Sequence, residues 1–289
     1  MTGRPFDGEI DLRRLQVFLV EMRHQVAQAA YFQWGDVLWR MYYGRNGFDP
    51  AADIRIWSDA GDRIEGFAFY LSVDHNPEFF LRPERYEHPV ADELVAWAVD
   101  RARRDGATAI ETSCIADDKR KAALLRRCGF EPIDDVMVFM ARSLDQPLPL
   151  ADLPEGYAIV SHADRPDLPG VTGTPISRGA YEQVCAAPGY RDDLGLRVCY
   201  QDREIVSGCI CWYDDLDACG EFEPVGTRED HRGKGLASAV MIKTLEHLRC
   251  YDVDTAYVRT YKNNMPAVRL YQKVGFTITA EDHGWRRLV

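Results

Sequence analysis

The chain has 289 residues, 46% hydrophobic and 28% charged, with a formal net charge of -11; that is long for one ordinary core and comfortable for two of about 140 residues each. Acid exceeds base throughout, with 25 Asp and Glu against 19 Lys and Arg in residues 1–150 and 21 against 16 in the rest, so a nucleic-acid-binding face is not expected. No segment approaches the roughly 18 uninterrupted apolar residues of a membrane span, and no apolar leader follows Met1–Asp11, which points to a cytoplasmic protein with no membrane partner.

In chain order, helices are predicted over Leu12–Gln25 and around Gly35–Tyr43, then strands at Ile54–Ser58, Gly66–Val73 and Glu78–Leu81. A long helix over Val90–Arg104 follows, where Val90, Leu94, Trp97, Ala98 and Ala102 recur at helical spacing. Asp105-Gly106 ends it; a β-rich run Thr108–Ile115, a helix Asp117–Cys128 and a strand Val136–Ala141 close the first half. The stretch Asp145–Pro154 holds three prolines and no periodicity, so the chain divides into 1–146, a Pro-rich linker 147–154, and 155–289.

The second half starts with strand Tyr157–Val160, a helix near Arg178–Cys185, and a hairpin of Leu196–Tyr200 with Glu204–Trp212 turned by Gln201-Asp202-Arg203. Strand Gly220–Thr227, helix Leu236–Leu248, strand Thr255–Tyr261, helix Pro266–Val274 and a final strand pair near Phe276–Leu288 complete it. Each half is therefore an α/β unit, a mixed central β-sheet flanked by helices.

Eight cysteines are present without a Cys-x-x-Cys pair, and Cys209 and Cys211 share one face of a predicted strand. Reduced, mostly buried thiols are expected. The seven histidines are scattered, and without His/Cys ligand spacing no metal site is expected.

Arg232-Gly233-Lys234-Gly235-Leu236-Ala237 joins an apolar strand to an amphipathic helix. The free N–H groups of a helix start bind anions. Gly233 and Gly235 let the backbone approach a phosphate, and Arg232 and Lys234 add charge beside it. A pyrophosphate suits such a loop. The spacing is neither that of a Walker A loop nor that of a dinucleotide fingerprint.

Together with Thr227 upstream, and with Asn264, Ala267, Leu270-Tyr271 and Gly275-Phe276 downstream, the pattern Arg-x-x-Gly-x-Ala resembles the acetyl-CoA-binding core of the GNAT N-acetyltransferases over roughly residues 155–289. The resemblance implies acetyl-CoA as co-substrate. Val225, Gly226 and Thr227 would meet its pantetheine arm, and Gly233, Lys234, Gly235, Leu236 and Ala237, with Arg232, its pyrophosphate. Asn264 and Ala267 would lie beside it; Asn264 also fits as the cap of the helix it precedes. Tyr271 matches a tyrosine that protonates the departing thiolate, and a phenol with a reference pKa near 10 holds its proton at neutral pH.

A second, damaged copy precedes this one. Shifting the sequence by 146 positions lays Gly129-Phe130 on Gly275-Phe276 and Tyr86-Glu87-His88-Pro89-Val90-Ala91 on the loop Arg232–Ala237. Both glycines and both cations are gone, Pro89 has no N–H, and Leu125 replaces Tyr271. The chain thus reads as two tandem GNAT-like domains, the N-terminal one degenerate.

A base is needed because an amine arrives protonated. Glu221 and Glu223, two apart on the strand before the loop, are expected to share one face, with Glu223 the nearer to the reacting carbonyl. The expected activity is acetyl transfer to a primary amine of a small molecule or peptide; the alternative is a non-catalytic acyl-CoA-binding sensor. Thr172–Tyr190, with Tyr181 and Tyr190, and the acidic tip Asp214-Asp215-Leu216-Asp217 are the expected acceptor walls. Whether two chains form a homodimer is left open.

Overall fold

The computed structural model describes every residue except 27–31, 44–47, 73, 169 and 171–177. Its elements are β1 (Gly3–Pro5), α1 (Gly8–Val26), α2 (Trp34–Tyr42), α3 (Pro50–Asp53), β2 (Ile54–Ser58), β3 (Ile64–Leu71), β4 (Asn76–Leu81), α4 (Pro89–Arg104), β5 (Ala109–Ile115), α5 (Lys119–Arg127) and β6 (Glu131–Ser143). They continue with β7 (Tyr157–Val160), α6 (Arg178–Cys185), β8 (Arg197–Tyr200), β9 (Glu204–Asp214), β10 (Cys219–Thr227), α7 (Leu236–Leu248), β11 (Thr255–Tyr261), α8 (Met265–Val274) and β12 (Thr277–Leu288). No helix among the described residues is long and apolar enough to cross a membrane.

A shift of 146 positions carries β5 onto β11, Lys119–Arg127 onto the body of α8, β6 onto β12, and the 3-10 turn Pro83–Arg85 onto a second one at Glu229–His231. The correspondence reaches the caps. Asp118 and Asn264 each turn a side-chain oxygen to an N–H three residues on, and Gly129 and Gly275, at φ +80° and +101°, take the left-handed conformation after each helix.

Compactness does not follow the linear order. Unit 1 comprises residues 1–31, 45–137 and 280–289, and unit 2 comprises residues 32–44 and 138–279. Unit 1 holds the sheet β1-β2-β3-β4 and the antiparallel pair of β5 with the end of β12, Asp282 opposite Ile115 through Leu288 opposite Ala109. Its core centres on α4, whose Val90, Leu94, Ala98 and Ala102 are buried with Phe79, Leu124 and Phe130. Unit 2 runs in the order β12-β6-β11-β10-β9-β8-β7. There Leu236, Val240, Met241, Leu245 and Leu248 of α7 pack with Phe222, Val258 and Phe276, and the thiols of Cys209 and Cys211 are buried in the same core. All eight cysteines are free thiols.

Two details differ from the sequence reading. The expected final strand pair is one strand, β12, whose exposed, polar first residues hid it; strand partners rather than burial hold that end. The stretch after β6 is fastened: the guanidinium of Arg142 donates to the carbonyls of Gln146 and Pro147 at 3.1 and 2.7 Å, and that of Arg249 to Leu144 and Gln146 at 2.7 and 2.6 Å.

Helix α2 is the less obvious part of unit 2. It buries Trp34, Val37 and Leu38, and Gly35 sits so close that a Cβ there would fall 2.6 Å from Glu221 Oε2 and 2.7 Å from Trp212 Cδ1. The Asp36 N–H donates to Glu221 Oε2 at 2.9 Å, and the Asp36 carboxylate pairs with Arg40 at 2.8 Å and Arg259 at 3.0 Å. Phe32 lies under both guanidiniums. Two carboxyls this deep cannot both ionise. Burial would raise the pKa of Asp36, but Arg259 and Arg40 outweigh it and hold it ionised. Burial and then the charge of Asp36 push Glu221 well above the usual carboxylate range, with Arg259 offsetting only part. The carboxyl of Glu221 is thereby held toward its protonated form beside Asp36.

Two outcomes follow from this packing. A fragment of residues 147–289 keeps every residue of the loop but loses α2 and β6, so circular dichroism and calorimetry should find it unfolded or far less stable than the full chain; a cooperative transition matching that of the full chain would contradict the partition. For Glu221, the folded chain retains a proton that the unfolded chain releases near the ordinary carboxyl pKa, so stability should fall as pH rises from there toward the raised value. Glu221→Gln, which imitates the protonated acid, should remove that slope in urea melts at a series of pH values; an unchanged slope would show Glu221 to be ionised.

Candidate active site

The parallel pairing of β10 with β11 runs from Cys219 opposite Thr255 to Phe222 opposite Val258, while β10 continues to Thr227 and β11 to Tyr261. Between Phe222 and Val225 the register of β10 on β9 slips: Phe222 lies opposite Cys211 and Val225 opposite Cys209. This bulge bends the strand and leaves the far edge of Val225–Thr227 without a strand partner. The opening is walled on one side by the loop and α7 and on the other by α8.

The groove there has a volume of about 540 Å³. It brings together the expected cofactor residues: Val225, Gly226 and Thr227 from the strand, Arg232, Gly233, Lys234, Gly235, Leu236 and Ala237 from the loop, and Asn264, Ala267 and Tyr271 from α8. Gly233 and Gly235 have φ values of +77° and +80°, and a Cβ on either would meet nothing within 4 Å. The glycines are thus required by backbone conformation, at about 1–2 kcal/mol for an L side chain in that region. Gly235 is the N-cap of α7 and no side chain caps the helix; the first intrahelical bond there runs from the Ala239 N–H to the Gly235 carbonyl. The preceding N–H groups are left to face an anion.

The cations are tethered in place. Arg232 Nε donates to the Thr227 carbonyl at 3.3 Å, and Lys234 Nζ to the Asp230 carbonyl at 3.2 Å. His231, also in the wall, is fixed by the Tyr157 hydroxyl at Nδ1, 2.9 Å away, and by Arg228 at Nε2. Sequence reasoning missed Arg269 and Lys273, one turn apart on α8 and both in the lining; their helical spacing beside Tyr271 was the available signal. In a chain with a surplus of acid, the groove is lined by four Arg or Lys residues and no carboxylate. The uncapped helix start, the left-handed glycines and this charge fit a pyrophosphate-bearing ligand.

The equivalent place in unit 1 is closed. Pro89 occupies the first turn of α4 with no N–H to give, and His88 Nδ1 accepts the Val90 N–H at 3.1 Å. Tyr86, standing where Arg232 does, is 3% exposed. The helix start is satisfied by its own cap.

Tyr271 is 6% exposed and packs edge-on against Phe276. Its hydroxyl has no hydrogen-bond partner among the described residues and the side chain lines the groove. Burial, and then the nearby Glu223 carboxylate, raise its pKa above the ordinary phenol value. Glu223 is half-buried at the bulge, and its carbonyl accepts the indole N–H of Trp212 at 2.6 Å. The alternation that would put Glu221 and Glu223 on one face is broken by the bulge. Glu221 is turned to α2 with its carboxyl pKa raised, and neither it nor Glu223 is among the residues that line the groove.

Residues 172–177 of Thr172–Tyr190 lie outside the described residues. Tyr181 is buried, with the Arg197 guanidinium over its ring and His162 at its edge, so it is packing. At the hairpin tip Asp214 turns inward and accepts the Leu216 N–H at 3.1 Å; Asp215 is the exposed acid. No group of three or more His, Cys, Asp or Glu among the described residues could hold a metal.

Comparison with known proteins agrees with this geometry. The model of the acetyltransferase (GNAT) family matches residues 169–276. The mycothiol acetyltransferase of Pseudarthrobacter chlorophenolicus is 25% identical over 75% of this chain and 72% of its own length, and that of Thermobispora bispora is 27% identical over 78% and 81%. Among solved structures, a tandem GNAT protein from the clavulanic acid biosynthesis pathway has a TM-score of 0.69 at 16% identity, covering 99% of this chain and 98% of that one. A GCN5-related N-acetyltransferase from Sphaerobacter thermophilus has a TM-score of 0.66 at 17% identity over 99% and 95%. These two likenesses show the fold. With the family match on the loop and the groove behind it, residues 169–276 belong to an acetyltransferase domain of the GNAT family.

Proposed function

We propose that unit 2 transfers the acetyl group of acetyl-CoA directly to a primary amine of a small-molecule acceptor. The observation that carries this reading is Tyr271, a largely buried phenol in the wall of the same groove as the phosphate-binding loop. An acyl-CoA sensor has no use for an acid held there.

The donor would lie with its pyrophosphate on the N–H groups of Gly233–Ala237 and its pantetheine arm along Val225–Thr227. Glu223 takes a proton from the incoming ammonium, directly or through one water. The neutral nitrogen attacks the thioester carbonyl carbon and the carbon–sulfur bond breaks; the thiolate takes the phenolic proton of Tyr271, the second proton of the nitrogen is lost as the amide forms and restores the phenol through water, and Glu223 returns its proton to solvent. The raised pKa keeps Tyr271 protonated throughout the neutral range. The first copy lacks every one of these parts, so one catalytic site per chain is proposed. The named relatives make the substrate of a mycothiol acetyltransferase the first acceptor to try.

The test is an amine panel that includes that substrate, read by release of free thiol from acetyl-CoA. With the best acceptor, Tyr271→Phe should lower turnover roughly 10²-fold with little change in acetyl-CoA affinity. Glu223→Gln should lose the acidic limb of the rate profile and recover in part at higher pH, where more amine is neutral. Variants that are folded and match the parent across pH 6 to 9 would return the site to a binding role.

A further inference from the structure

The indole of Trp212, on β9, is 1% exposed. Its N–H donates to the Glu223 carbonyl at 2.6 Å, the main-chain group next to the residue proposed as base. In a regular ladder that carbonyl would be bonded to a neighbouring strand. Here three steps of β10, from Phe222 to Val225, face two steps of β9, from Cys211 to Cys209, so Glu223 and Pro224 are drawn out of register. A carbonyl displaced in this way needs another donor. Trp212 supplies one.

The indole is itself held. A Cβ on Gly35 would come within 2.7 Å of Trp212 Cδ1 and 2.8 Å of its Cβ, so only glycine lets the start of α2 lie against it. The ring of Tyr190 meets it at 6.4 Å, inclined by 72°. One residue earlier than the bulge, Phe222 is locked in the core, and Glu221 before it is bound to Asp36. The bulge is therefore fixed at its start by Glu221 and Phe222 and at its apex by one hydrogen bond from Trp212.

We propose that Trp212 is a positioning residue for acetyl transfer: its indole N–H fixes the Glu223 peptide so that the Glu223 carboxylate meets the acceptor amine. This rests on Glu223 being the base. Trp212 is not among the residues lining the groove, and the proposed effect passes through Glu223.

A double-mutant cycle in the full chain tests it, using the panel amine that the parent acetylates fastest. Trp212→Phe removes the N–H and should lower kcat roughly tenfold, shift the acidic limb of the pH profile, and leave KM for acetyl-CoA within about twofold. In the Glu223→Gln background the same substitution should change kcat by less than about twofold, because the group it positions is gone. An equal loss in both backgrounds would overturn the proposal and make Trp212 a packing residue. A fully active Glu223→Gln variant would instead sink the base assignment, and the route through it. Should Trp212→Phe fail to fold, β-(3-benzothienyl)alanine at position 212, which keeps the ring shape and replaces N–H by sulfur, should give the same loss; full activity of that protein would overturn the proposal.

Discussion

The N-terminus of α7 is the point on which the site depends. An α-helix begins with N–H groups that have no partner within it, and a chain must either cap them or leave them for a ligand. In α7 the choice is made by Gly235, whose left-handed conformation turns the loop away and whose lack of a side chain leaves the helix uncapped. The resulting partial positive charge is reinforced by Arg232 and Lys234, each tied to a main-chain carbonyl. At the matching position in the first copy, His88 and Pro89 settle the same question the other way. Two helices related by the shift of 146 positions thus differ at their first turn: the start of α4 is capped and that of α7 is left open.

Much of this was legible in the sequence because it is local. The glycine spacing of the loop, the helical periods of α4 and α7, and the register between the copies are short-range patterns, and β11, α7 and the loop stand where they were expected. What the sequence hid is long-range. The docking of α2 on β10 joins residues 185 apart, and nothing in the pattern around Asp36 announces a partner so distant. The same contact explains the misreading of Glu221. Two acids at i and i+2 suggest one face of a strand, but the bulge at Glu223 breaks the alternation and the carboxyl of Glu221 is taken up by Asp36.

The division of labour within unit 2 follows from these constraints. In the proposed site, binding of the donor falls to main-chain groups, which are rigid and cost little to order, with cations added around them. The proposed chemistry falls to two side chains: Tyr271, kept protonated by burial beside Glu223, and Glu223, which stands at the bulge of β10. Helix α2, far away in the sequence, presses on the strand that carries Glu223 through Gly35 and Asp36. A segment that a cut at the Pro-rich stretch would remove is part of unit 2.

The central claim is that one helix start in this chain is open to acetyl-CoA and its counterpart is closed. The most direct measurement is calorimetric titration of the full chain with acetyl-CoA, repeated for Gly235→Ala and for Tyr86→Ala. One site per chain is expected, weakened by Gly235→Ala and unchanged by Tyr86→Ala. Two sites per chain, or a single site that Tyr86→Ala removes while Gly235→Ala leaves it intact, would contradict the account.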